Sequence, residues 1–208
     1  MSQNTTKLKV CLLPYVAVFV GLYILNSAWA ALLMYHIGIV LLVAYDRRIS
    51  SWKRLCLGIK PWPLCSAVVF CLLSGPLIFG LWKFMALEAA VDPGVILARY
   101  GLNDSSWVCF MLYFVVVNPV LEELFWRDYL GADPSRFSLV DLAFAGYHVL
   151  VLCLFIKWPW VFLGFCILAI TGCLWRRFSI EQQGLAVPWI SHTAADASIM
   201  IAVCALHA

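Results

Sequence analysis

Charge is scarce in this sequence: 12% of its 208 residues are Asp, Glu, Lys or Arg, 64% are hydrophobic, and the mean hydropathy is +0.94. A soluble domain is about half apolar and about one-quarter charged, so a water-soluble globule is excluded. The net charge of +3 comes without a basic stripe or recognition motif, and nucleic acid is not indicated as a partner. The nine cysteines contain no CxxC pair and no metal-site spacing, and they read as buried reduced thiols filling apolar positions. There is no HExxH. Linkers, low-complexity tracts and repeats are missing too, so residues 1–208 read as one integral membrane domain.

What is present is a series of apolar stretches near 10–26, 29–45, 64–82, 107–130, 139–156, 160–175 and 185–206. A bilayer core takes helices of about 17–25 apolar residues, because only a helix or a closed barrel satisfies its own backbone in lipid. The expected fold is therefore an all-α, polytopic transmembrane bundle of seven spans. The count becomes six if Val10 to Tyr45 is one long tilted helix rather than a hairpin turning at Asn26 and Ser27; eight also stays open. Lys7, Lys9, an apolar core and "AWA" at 28–30 imitate a cleavable secretory signal. Because residue 31 opens another apolar stretch at once, this segment is expected to be retained. Gly75 with Pro76, and Asn118 with Pro119, are expected to interrupt two helices.

Basic residues concentrate on the cytoplasmic side of membrane proteins. With seven spans and the N-terminus inside, Lys7, Lys9, the loop "DRRISSWKRLCLGIK" and the loops bearing Arg127, Arg136, Arg176 and Arg177 are cytoplasmic. Lys83, Arg99 and Lys157 are left outside. The stretch 88–106 reads as a short surface helix and turn, and most of the ten tryptophans, among them Trp82, Trp107, Trp158 and Trp160, read as interface anchors.

Ionisable groups in mid-membrane are costly and usually face the bundle interior with a partner or a task. Glu122, Glu123, His148, His192 and Asp196 are such groups. At about 1.5 Å per residue, Glu122 lies roughly 12 Å from its helix end at Leu130, His148 about 14 Å from Leu139 and His192 about 11 Å from Leu185. Three helices thus carry polar groups to one level. Residues four apart share a helix face, which pairs Glu123 with Arg127, Phe144 with His148 and His192 with Asp196. Glu122 is turned about 100° from its neighbour and left free. A buried carboxylate suits a group that accepts and returns a proton, a histidine beside it can share a water, and a second polar pair can face a developing oxyanion. That set reads as hydrolysis of a peptide bond within the membrane, with water as nucleophile.

"EELFWR" fits EExxxR, "FAGYH" fits FxxxH and "HTAAD" fits HxxxN/D, in that order along the chain. Over about residues 107–200 the sequence resembles the CAAX-protease and bacteriocin-processing family (CPBP or Abi), which includes the Ras-converting CAAX endopeptidases. The resemblance implies a glutamic intramembrane protease without a cofactor, in a bacterial inner membrane, with its site open to the cytoplasm. It implies Glu122 as general base, His148 as its partner in positioning water and His192 as oxyanion donor, supported by Glu123, Arg127 and Phe144. Its substrate would be a membrane-associated protein or peptide, either CAAX-like or a C-terminal sorting tail. Two positions depart from the pattern. Asp196 stands where CAAX endopeptidases carry asparagine, and an ionised aspartate cannot donate to an oxyanion, so its role becomes orienting His192. Asp128 follows Arg127 where many relatives have glycine.

Two other readings stay open. Two acids, two histidines and an aspartate could also hold zinc, whose bound water attacks at neutral pH, although pairing with Arg127 would occupy one carboxylate. Some relatives are self-immunity proteins against bacteriocins, and such a protein acts by binding without cutting. His36 and His207 are expected to have no part in the site.

Overall fold

A computed structural model of the protein describes residues 9–45, 51–88, 92–131 and 137–207. These residues form an all-α bundle, with no strand among them beyond a lone antiparallel bridge between Ala86 and Ile156. Helix α1 (Leu13–Val18) widens into a π-helical segment, Phe19–Ile24, and α2 runs Ala28–Tyr45. The first apolar run is thus a hairpin, turning where Asn26 takes a φ of 49°. Then follow α3 (Ser51–Leu55), α4 (Pro61–Leu72), α5 (Ser74–Met85) and the short α6 (Pro93–Ala98), whose first turn is capped by the Asp92 carboxylate. Helix α7 (Asp104–Glu123) continues as a π segment, Leu124–Tyr129; α8 (Leu139–Leu152), α9 (Trp158–Glu181) and α10 (Ala186–His207) complete the chain.

Each apolar stretch read from the sequence is a helix here. Five are long and apolar enough to cross a membrane: Ala28–Tyr45, Pro61–Met85, Ser105–Tyr129, Trp158–Glu181 and Ala186–His207; Leu13–Ile24 and Leu139–Leu152 are shorter. Large apolar side chains such as Leu41, Phe70, Leu77, Phe162 and Ile201 point outward. In water that surface would aggregate, and in lipid it is the solvated face. The protein is an integral membrane protein on this basis.

The polar groups lie inside. Helix α10 is central, packed against α4, α5 and α7. It meets α5 closely because Gly75 has no side chain: a Cβ there would strike the Ser198 carbonyl, and the Gly75 N–H donates to Ser198 Oγ at 3.0 Å. The Gly75–Pro76 break falls just before it, with α4 ending at Leu72 and α5 starting at Ser74. Pro119, by contrast, interrupts nothing; α7 stays α-helical through Glu123 and changes only at Leu124. Proline removes one donor, and a membrane helix tolerates that when neighbours satisfy the freed backbone.

Two arginines correct the reading of the loops. Arg127 and Arg176 are buried, at 4% and 1% exposure, so neither is a loop cation. Arg176 holds Asp141 through Nε to Oδ1 at 3.0 Å and Nη2 to Oδ2 at 2.7 Å, and Asp141 with Ser138 forms the capping box of α8. This ties the start of α8 to the end of α9. Arg136 lies outside the described residues. Trp126 and Trp175 are buried walls. One other expectation changes: Cys56, Cys65, Cys109 and Cys153 are exposed rather than buried. All nine cysteines are free thiols.

Candidate active site

The end of α7, the middle of α8 and the first turns of α10 come together, and their polar side chains converge there. Pro119 and the π turn bracket Glu122 and Glu123, and single widened turns of this type recur at functional sites because they re-aim side chains. Both glutamates are 0% exposed. Their neighbours are what makes that tolerable.

Glu123 lies between Arg127 on its own helix and His192 on α10. Its Oε1 accepts from His192 Nδ1 at 2.9 Å, and its Oε2 faces Arg127 Nε at 3.3 Å, four residues on, as the spacing predicted. The Arg127 guanidinium sits over the ring of Phe144 at 4.1 Å and near Trp175 at 5.2 Å. Phe144, at 1% exposure, therefore serves as the floor of the ion pair. A ring face attracts a guanidinium electrostatically, most strongly when water is excluded.

Glu122 is turned to the other side, yet it is not free. Tyr147 donates its hydroxyl hydrogen to Glu122 Oε1. Glu122 Oε2 stands 3.6 Å from His192 Nε2, and among the described residues it has no hydrogen-bond partner. His192 Nε2 also lies 3.7 Å from Asp196 Oδ1. These separations are too long for a good hydrogen bond, and they leave both atoms able to touch one water or substrate oxygen. The imidazole is stacked on Trp175, with ring centroids 4.6 Å apart, which fixes its plane.

His148 belongs to the same neighbourhood without bonding to Glu122. Its Nδ1–H donates to the Phe144 carbonyl at 2.8 Å, and its ring packs on Tyr147 at 4.0 Å and on Phe144 at 4.8 Å. That bond sets the tautomer and leaves Nε2 as a lone-pair acceptor. His192 and Arg127 are both within its electrostatic reach. Tyr147 thus touches both the Glu122 carboxylate and the His148 ring.

The sequence reading missed Tyr147 and Asn118. Asn118 Nδ2 donates to Asp196 Oδ2 at 3.2 Å, and it is buried at 4% exposure. The available signals were adjacency to His148 for the tyrosine and a polar residue before Pro119 for the asparagine. His36, set aside on sequence, reaches Asn118 Oδ1 at 3.2 Å. Asp128, the second departure from the family pattern, is ion-paired with Arg54 of α3, which anchors the basic segment. Among the described residues no three His, Cys, Asp or Glu side chains are grouped to hold a metal ion.

No curated protein and no solved structure matches the chain. Residues 104–198 match the family model described as type II CAAX prenyl endopeptidase Rce1-like. The matched span opens with α7 and ends two residues beyond Asp196, so it encloses all three motifs and every side chain of the site apart from those on α2 and α3. Over this span the chain is similar to the Rce1-like type II CAAX prenyl endopeptidases.

Proposed function

We propose that the protein is a glutamic intramembrane endopeptidase that hydrolyses a peptide bond of a membrane-associated protein. One observation carries this reading: Glu122 Oε2 and His192 Nε2 face each other at 3.6 Å inside the bundle, while Tyr147 and Glu123 hold their other atoms. A water beside Glu122 Oε2 gives its proton to that carboxylate as its oxygen attacks the scissile carbonyl carbon. His148 Nε2 accepts from the same water and orients it. The carbonyl π electrons move onto oxygen, and the N–H of His192 at Nε2 donates to that oxyanion. Collapse of the tetrahedral intermediate breaks the C–N bond, and the Glu122 carboxylic acid returns its proton to the leaving amine. Asp196 keeps Nε2 of His192 protonated and aimed.

An apolar groove supports a membrane-borne substrate. It has a volume of about 150 Å³ and lies between α4 and α9, walled by Phe70, Cys71, Leu174, Trp175 and Phe178. Trp175 is shared with the site through its stacking on His192. An apolar anchor of the substrate in this groove would bring an adjacent peptide bond to His192. The basic segment around Lys53 and Arg54 lies at the same end as the site, which by the positive-inside rule supports a site facing the cytoplasm, in what the family resemblance implies is a bacterial inner membrane.

The test compares the membrane proteome of cells carrying wild-type protein and Glu122→Gln. One polypeptide that persists uncut only with the variant is the expected result; identical proteomes and full biological activity of Glu122→Gln and His148→Ala would favour the binding-only reading. Chelation separates the zinc reading: cleavage is expected to survive EDTA and phenanthroline, and loss with recovery on added zinc would replace Glu122 by a metal as the activator of water.

A further inference from the structure

We infer that His36, on α2 and outside all three motifs, is a positioning residue for the site, acting through Asn118 on Asp196 and so on His192; this rests on the hydrolytic reading above. His36 is 2% exposed, on a helix whose other buried side chains are apolar apart from Tyr35. Its Nδ1 lies 3.1 Å from the Tyr113 hydroxyl and its Nε2 lies 3.2 Å from Asn118 Oδ1. Asn118 Nδ2 in turn reaches Asp196 Oδ2 at 3.2 Å, and Asp196 Oδ1 faces His192 Nε2 at 3.7 Å. Four groups on three helices form one series, two hydrogen bonds followed by a 3.7 Å charge contact with the imidazole of the site.

The direction of each bond follows from donor chemistry. A carboxylate only accepts, so Asn118 presents its NH2 to Asp196 and its oxygen to His36. His36 must then donate from Nε2, which leaves Nδ1 to accept from the Tyr113 hydroxyl. Every dipole in the series points its positive end toward Asp196. The series thereby holds a carboxylate beside His192, in a place where a bare charge would be costly. It also accounts for the departure at the last motif: the amide missing at position 196 stands on the facing helix, at Asn118.

The test uses the full chain in liposomes with a farnesylated CAAX peptide as probe, comparing wild type, Glu122→Gln, His36→Leu and His36→Gln. His36→Leu is expected to lower kcat about ten-fold with KM unchanged, the scale of one lost hydrogen bond supporting a charge. Glutamine places an N–H near the position of Nε2, so His36→Gln is expected to recover most of the loss. Inactive Glu122→Gln together with wild-type rates in His36→Leu, or equal losses in the Leu and Gln variants, overturns the relay alone. Wild-type activity in Glu122→Gln overturns the hydrolytic reading and the relay with it. Independently of any substrate, 15N spectra of histidine-labelled protein should show His36 protonated at Nε2 and a displaced His192 signal in Asn118→Ala. A proton on Nδ1 of His36, or an unmoved His192 signal, rejects the proposal.

Discussion

The Tyr147 hydroxyl donates to Glu122 Oε1, while the opposite oxygen of the same carboxylate faces His192 Nε2 at 3.6 Å. One hydrogen bond thus decides which oxygen is left for chemistry. Tyr147→Phe keeps the ring that packs on His148 and removes only the donor, so the fold should survive. We expect kcat to fall about ten- to a hundred-fold with KM nearly unchanged, since a hydrogen bond to a charged group is worth about 1.5–3 kcal/mol. Steady-state kinetics on a cleaved peptide check this. An unchanged kcat would mean that the carboxylate is aimed by its helix alone.

Arg127 and Glu123 make a different prediction, because their ion pair is buried at 2% and 0% side-chain exposure. Removing one partner strands the other charge in low dielectric, at a cost of about 3–5 kcal/mol. Arg127→Met should therefore lower the melting temperature in detergent strongly. Glu123→Gln/Arg127→Met leaves neither charge and should regain much of the stability, yet stay inactive because His192 loses the carboxylate charge that faces its Nδ1. A double variant no more stable than Arg127→Met would show that the guanidinium matters through Phe144 and Trp175 rather than through Glu123.

These two pairs mark where the sequence was legible. Glu123 with Arg127 and His192 with Asp196 are four apart on one helix, and helical periodicity alone sets such contacts. The apolar runs were legible for the same reason, since lipid demands continuous helices of a fixed length. Tyr147 against Glu122, and Asn118 against Asp196, join residues 25 and 78 positions apart, and no local period encodes them. Arg176 was misread as a loop cation because its buried partner, Asp141, lies on another helix and meets it only once helices pack; Arg127 was counted with the loops although its spacing from Glu123 already gave it a partner. Pro119 was misread as a break because a membrane helix tolerates the loss of one backbone donor, and this one stays helical through it.

At the other end of the bundle, Asp92 caps α6 and binds His207 at the end of α10. The Gly94 backbone N–H, at 2.6 Å, and then the His207 imidazole hold the Asp92 carboxyl below its ordinary value. A depressed folded value means that its stabilising effect is present above the unfolded pKa of about 3.9 and is lost as pH falls through the folded one. The gap in melting temperature between wild type and Asp92→Ala should thus be constant near neutrality and close on acidification below about pH 4. A gap that persists in strong acid would assign the contact to packing of His207 rather than to the carboxylate.

Gly172 on α9 offers a steric handle on the site that touches none of the reacting groups. A Cβ added there would stand 3.1 Å from Phe144 Cδ1 and 3.7 Å from Arg127 Nη2. Phe144 has no room to retreat, since Trp126, Tyr147 and His148 all pack on its ring. Overpacking of this kind costs about 1–3 kcal/mol. Gly172→Ala should therefore lower stability measurably and shift Arg127 off the ring, loosening Glu123 and through it His192. Gly172→Val should abolish cleavage while the helical far-ultraviolet signal remains. Wild-type cleavage by Gly172→Val would show that the floor under the ion pair yields, and that the positions of Glu123 and His192 are set by their own hydrogen bond at 2.9 Å instead.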